Sequence, residues 1–190
     1  MKTKFAASVI FVFAFLPISG QQPLKVGDKA PEFQATADDG SNWNIKKFLG
    51  KEYIVVYFYP SAMSSGCTKQ ACSYRDHRDY LKEAGIVVVG ISGDKPENLR
   101  LFKQADNLNY TLLADEKGEI AEKFGVPVSQ GGSMKSTVGG KEHELVRAVT
   151  EKRWTFIIGK DGKIIYKNES VTPEKDPEDV LAFIKSQPSK

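Results

Sequence analysis

Cys67 and Cys72, the only thiols of the chain, lie five positions apart in the segment GCTKQAC. A thiol attacks as its thiolate, which positive charge and free N–H donors favour. Cys67 is placed for both. It follows the apolar run YIVVYFY (Tyr53 to Tyr59), then Pro60 and a short turn, and it opens a helical pattern. The first turn of a helix presents N–H groups without carbonyl partners and a positive partial charge. Gly66 lets a reacting atom approach the backbone closely. There the N–H groups of Gly66 and Cys67 would stabilise charge developing on a substrate oxygen. These residue types in this order point to a reactive cysteine at a strand-to-helix junction.

A structural disulfide is the competing reading. Such a bridge would close a very small loop and remove little entropy from the unfolded chain. In a regular helix, residues five apart also have Cα atoms about 8.6 Å from each other. A disulfide spans less than about 7 Å. The two thiols can therefore join only if the helix opens between them.

The elements that must hold Cys67 in place read as a layered α/β domain. Glu32 to Ala35 and Trp43 to Ile45 flank the turn Asp38-Asp39-Gly40-Ser41 and form an expected hairpin. Tyr53 to Tyr59 is β-branched and aromatic throughout, as in a strand buried on both faces, and IVVVGIS (Ile86 to Ser92) reads as a second buried strand. Between them a helix is expected from Cys67 to Ala84. A helix from Lys95 to Ala105, a strand from Tyr110 to Ala114 and a helix from Lys117 to Phe124 follow. Trp154 to Ile158 and Lys163 to Lys167 flank the turn Gly159-Lys160-Asp161-Gly162. Asp176 is the expected N-cap of a last helix, with Pro177 at its first position. Ser129 to Lys141, rich in Gly and Ser, is expected to be an exposed loop near the mouth of the site. The sum is a central mixed β-sheet flanked by helices, with an N-terminal β-hairpin.

The surroundings of Cys67 resemble a known family. In FYPSAMSSGC, Pro60, Ser64 and Cys67 have the spacing Pro-x-x-x-(Thr/Ser)-x-x-Cys, similar to the peroxidatic motif of the peroxiredoxins. GCTKQAC followed by YRD resembles the bacterioferritin-comigratory or PrxQ branch, whose resolving cysteine stands five residues after the peroxidatic one. GDKAPEF and RWTFIIGKDGKIIY carry the similarity from about Val26 to Ile184.

The resemblance implies a thioredoxin-like fold and thiol-dependent reduction of hydrogen peroxide and organic hydroperoxides. It makes Cys67 the peroxidatic and Cys72 the resolving cysteine. Pro60 would shield the sulfur, and Ser64 would offer its hydroxyl to the thiolate or peroxide. Gly66 would border the bound peroxide, and Arg153 would approach the sulfur from a neighbouring strand, with Arg147 as the alternative arginine. The family needs no metal, haem or flavin. It implies a monomer re-reduced by an external thioredoxin-like dithiol protein. Two departures stand out: Ser65 precedes Gly66 where many relatives have proline, and Ser64 stands where threonine is commoner. An exported thiol–disulfide oxidoreductase or a redox sensor on the same fold is the alternative. The oxidoreductase would ordinarily carry Cys-x-x-Cys.

The N-terminus suggests where such a protein works. Lys2 and Lys4 precede an apolar run from Phe5 to Leu16, then Pro17 and the small residues Ser19 and Gly20. This is the layout of a secretory signal peptide over residues 1–20, which leaves one domain over residues 21–190 in the periplasm or outside the cell. Two of the three net positive charges belong to Lys2 and Lys4. A near-neutral remainder gives no reason to expect nucleic acid or an anionic membrane as partner.

Overall fold

The computed structural model describes residues 24–187, so the leader expected over residues 1–20 lies outside the described residues. Strand β1 (Gln34–Ala37) pairs with β2 (Asn42–Asn44), so the first strand lies two residues later, and the second one residue earlier, than the sequence put them. The second strand ends early because Ile45 starts a short 3-10 turn capped by the Asn44 side chain. Strand β3 (Tyr53–Phe58) is followed by helix α1 (Ser65–Asp76), helix α2 (Arg78–Glu83) and strand β4 (Ile86–Ser92). Helix α3 (Pro96–Ala105), strand β5 (Thr111–Ala114) and helix α4 (Glu119–Phe124) come next.

The single helix expected from Cys67 to Ala84 is two helices. His77 breaks it: its backbone has φ −94° and ψ 2°, and its ring Nδ1 lies 2.8 Å from the Ser73 carbonyl oxygen. His77 is half-buried there.

The larger correction concerns Ser129 to Lys141, which is no loop. Strand β6 (Val128–Val138) and strand β7 (Lys141–Glu151) form a long antiparallel ribbon. Gly139 and Gly140 turn it with φ 58° and 80°, the backbone of a two-residue hairpin loop that glycine adopts without strain. The ribbon forms a separate two-stranded sheet. Both of its faces are largely wet, so the apolar alternation that marks a half-buried strand is missing from its sequence.

Strand β8 (Trp154–Ile158), strand β9 (Ile164–Asn168) and helix α5 (Asp176–Lys185) complete the chain. The main sheet has the order β2-β1-β5-β4-β3-β8-β9. Its β3–β4 and β4–β5 pairs are parallel and β8 runs antiparallel to β3. Alternate residues of β3 serve opposite faces. Ile54, Val56 and Phe58 pack with Phe33, Phe124 and Phe156 on one side. Val55 and Tyr57 pack with Cys67, Ala71, Tyr74, Leu99 and Val180 on the other, beneath α1, α2, α3 and α5. Cys67 thus belongs to the core of the helical face.

Asp176 does not cap α5. Lys175 is the cap residue and Asp176 is already helical. Its carboxylate points inward, toward three buried donors.

Candidate active site

Pro60 has no N–H to continue the sheet, so the chain leaves β3 after the Tyr59 N–H bond to the Ile91 carbonyl at 3.0 Å. The six residues before Cys67 are pinned from several directions. The Asp94 carboxylate, held by the Ser92 hydroxyl at 3.0 Å, accepts the Ala62 N–H at 2.7 Å. Arg147 Nη1, from β7, donates to the Ser61 hydroxyl at 3.1 Å. That hydroxyl lies 3.4 Å from the Met134 sulfur of β6. Between these anchors Met63 takes the left-handed backbone, φ 62°, a conformation an L side chain adopts only where its surroundings hold it.

Helix α1 then begins. Its first intrahelical bond runs from the Thr68 N–H to the Ser64 carbonyl at 2.8 Å. The N–H groups of Ser65, Gly66 and Cys67 precede it and have no carbonyl of the helix to bond. Cys67 is 1% exposed. Arg153 Nη2 donates to its sulfur at 3.2 Å. Arg153 precedes Trp154, which lies opposite Phe58 in the sheet. That register brings the arginine beside the turn that follows β3. A Cβ added to Gly66 would lie 3.4 Å from the same guanidinium nitrogen, so glycine keeps the space between cation and backbone open.

Of the residues singled out in sequence, Gly66, Cys67 and Arg153 converge, and Pro60 stands where the chain leaves β3 for the turn before them. Ser64 is adjacent, but its hydroxyl donates to the Ser61 carbonyl at 3.1 Å and not to the sulfur. Arg147, the alternative arginine, reaches Ser61 and Thr150. Cys72 lies farther along α1, half-buried, with its sulfur 3.9 Å from Asp106 Oδ1. Both cysteines are free thiols. Burial, more than any other cause, pushes the Cys72 thiol up from its ordinary range; nearby Arg75 opposes this and Asp106 adds to it.

Sequence reasoning missed what stands behind Arg153. Arg153 Nη1 donates to Gln70 Oε1. Gln70 Nε2 donates to Asp176 Oδ2 at 2.7 Å, and the Tyr74 and Thr155 hydroxyls reach the same oxygen at 2.8 Å each. Burial raises the Asp176 carboxyl above its ordinary range, and the three donors pull it back. A signal was present. Cys67, Gln70, Ala71 and Tyr74 share one helical face, and a glutamine on a buried face must have partners. Among the described residues no group of three or more His, Cys, Asp or Glu side chains is placed to hold a metal ion. No described helix is long and apolar enough to cross a membrane.

Comparison with known proteins shows the family. The AhpC/TSA family model matches residues 26–167. Peroxiredoxin Bcp of Escherichia coli is 41% identical over 163 residues, spanning 86% of this chain and 97% of that protein. Chloroplastic Peroxiredoxin Q of Gentiana triflora is 37% identical over 162 residues, covering 84% of this chain and 66% of that protein. Among solved structures, Peroxidoxin BcpB from Mycobacterium tuberculosis superposes with a TM-score of 0.72 at 30% identity, covering 87% of this chain and 99% of that one. The fold is thioredoxin-like, as the sequence implied. With a match of this extent the chain belongs to the AhpC/TSA family, and within it to the Bcp/PrxQ peroxiredoxins, which makes it a thiol-dependent peroxidase.

Proposed function

We propose that Cys67 is the peroxidatic cysteine and Cys72 the one that resolves it. The observation that carries this is the Arg153 guanidinium on the Cys67 sulfur at 3.2 Å, at the open end of α1. The Cys67 thiolate attacks one oxygen of the O–O bond and becomes sulfenic acid. The other oxygen leaves, takes a proton and departs as water or an alcohol. Arg153 and the first-turn N–H groups face the charge that develops on that oxygen. Cys72 then attacks the sulfenic sulfur, which gives a disulfide and releases water. An external dithiol protein reduces the disulfide by thiol exchange. Both cysteines lie within one continuous helix, Ser65–Asp76, so the second step requires its first turns to open.

The substrates in this reading are hydrogen peroxide and organic hydroperoxides, and the reductant is a thioredoxin-like protein. The protein acts as a monomer in the periplasm or outside the cell, a placement that rests on the leader-like residues 1–20.

Replacement of each cysteine tests the assignment. Cys67→Ser abolishes peroxide turnover, because an alcohol is far less ionised than a thiol at neutral pH. Cys72→Ser retains one round of oxidation and then over-oxidises. Absence of peroxide-dependent sulfenic acid in the Cys72 variant would reverse the roles. Peroxide consumption with a small dithiol, run beside insulin reduction, separates this activity from general disulfide exchange.

A further inference from the structure

We propose that Asp176 is a positioning residue for the peroxide step. Through Gln70 it aims Arg153 at Cys67, and through Gln70 and Tyr74 it latches the start of α1 in its closed form. This rests on the reading of Cys67 as the thiol that attacks peroxide.

The chemistry of the donors carries the first half. Arg153 can only donate hydrogen bonds, and an ionised carboxylate can only accept them. Gln70, fully buried between the two, is the adapter: it turns its NH2 to Asp176 and its carbonyl to Arg153. Without the carboxylate nothing fixes the amide that way round. A flipped amide would present donors to the guanidinium, and Arg153 would lose the partner that directs its other nitrogen to Cys67. Asp176 is itself 0% exposed and fixed by Thr155 Oγ1 at 2.8 Å. Thr155 lies two residues beyond Arg153. One carboxylate therefore ties α1, β8 and α5 together behind the arginine.

The second half follows from where the donors sit on α1. Gln70 lies between the two cysteines, and Tyr74 is one turn further along the same face. Joining Cys67 to Cys72 requires the helix to open between them. The Gln70 bonds to Asp176 and Arg153 cannot survive that opening. Asp176 thus favours the first half-reaction and holds back the second. A residue that merely supports the fold would not push the two steps in opposite directions.

Single-turnover kinetics on the full chain with hydrogen peroxide test this. Sulfenic-acid trapping follows the first step and disulfide mass follows the second. Asp176→Ala should slow the first step at least about tenfold, the scale of losing one buried hydrogen bond to a charged group. It should also speed disulfide formation and raise amide exchange over residues 68–74 of the reduced protein. Asp176→Asn keeps the shape and one acceptor oxygen, so it should move both steps in the same directions by less. Tyr74→Phe should speed the second step with little effect on the first. Asp179→Ala, on the exposed side of the same helical turn, should change neither.

A common slowing of both steps in the Asp176 variants would overturn the proposal, as would rates equal to the parent's. If Asp176→Ala does not fold, Asp176→Asn and Tyr74→Phe decide by the same criteria. The outcome is separable from the assignment of Cys67. A parent protein oxidised at some other residue sinks the assignment. Cys67 oxidised at parental rate in every Asp176 variant sinks the positioning role of Asp176 and leaves the assignment of Cys67 standing.

Discussion

The two sulfurs of helix α1 sit five residues apart in opposite surroundings. Cys67 is buried at the open end of the helix, with a guanidinium donating to it at 3.2 Å. Cys72 is half-buried, and its sulfur donates to an Asp106 carboxylate oxygen at 3.9 Å. Arg75 acts on Cys72 as a neighbouring cation, but its guanidinium is already committed to Asp76 at 2.8 Å and to the Asp106 carbonyl at 2.6 Å. One thiol therefore faces a donor backed by a hydrogen-bonded chain reaching α5. The other faces an acceptor, and its surroundings favour the protonated form. The difference teaches that chemically identical residues receive their order of action from neighbours distant in sequence. In the proposed order the sulfur beside the cation reacts first, and the surroundings of the other favour its protonated form while the helix is closed.

The sharpest way to break this contrast is to blunt the donor at Cys67. Arg153→Lys keeps the charge but loses the planar fork that reaches the sulfur and Gln70 together. The peroxide step should slow by about 10- to 100-fold, the worth of a hydrogen bond to a charged group. Arg147→Lys should cost much less, because Arg147 contacts Ser61 and Thr150, not the sulfur. Stopped-flow rates for the two variants settle the ranking, and the reverse order would place the working arginine on β7.

How much of this was legible in sequence varies with how local the cause is. The strand, Pro60, the turn and the helix start around Cys67 are written in neighbouring residues, and the structure follows them. Arg153 was reachable because RWTF carries its own motif. The partner network was not. Asp176 precedes Pro177 and two acids, which is also the sequence of a helix N-cap, and only the tertiary fold supplies the three donors that turn it inward. Asp106 had no signal at all, since it meets Cys72 across 34 positions of chain. The β6–β7 ribbon was missed for another reason. It lends little to the core beyond the buried Leu145 and the partly buried Met134 and Val128, so periodicity is silent, and Gly139-Gly140 was its one clear sign.

A second test works on Cys72 through pH. Its thiol is raised in the folded helix relative to an ordinary thiol near pH 8.5. The closed helix therefore binds the thiol proton more tightly than the open one. That preference for the closed form is complete below about pH 8.5 and fades as pH rises through the folded value. Opening thus becomes easier over the range in which the attacking thiolate accumulates. The rate of disulfide formation should keep climbing past the ordinary thiol range and level off only at the folded value. Asp106→Asn removes the adjacent negative charge and should bring the levelling point to lower pH. A plateau at the ordinary thiol value in the parent protein, or no displacement in the variant, would mean that Asp106 does not set the state of Cys72.

The smallest expected effect concerns how firmly the Cys67 side is held from the ribbon. Ser61 accepts from Arg147 at 3.1 Å, meets Met134 at 3.4 Å, and is 6% exposed. It is the point where the ribbon touches the turn before Cys67. Ser61→Ala removes the acceptor and leaves part of the Arg147 fork without a partner. A loss of about 1 kcal/mol is expected, or roughly 2–4 °C in melting temperature for a chain of this size. The peroxide step should fall only slightly, because the Ala62 N–H bond to Asp94 at 2.7 Å and the Arg153 contact both remain. Disulfide formation should be unchanged, since the groups acting on Cys72 are Asp106, Arg75 and Asp76, none of them on the ribbon. Thermal melting together with the two single-turnover rates makes the measurement. If Ser61→Ala altered the Cys72 step as much as the Cys67 step, the ribbon would be acting on the whole of α1, and the two sulfurs would not be under separate control.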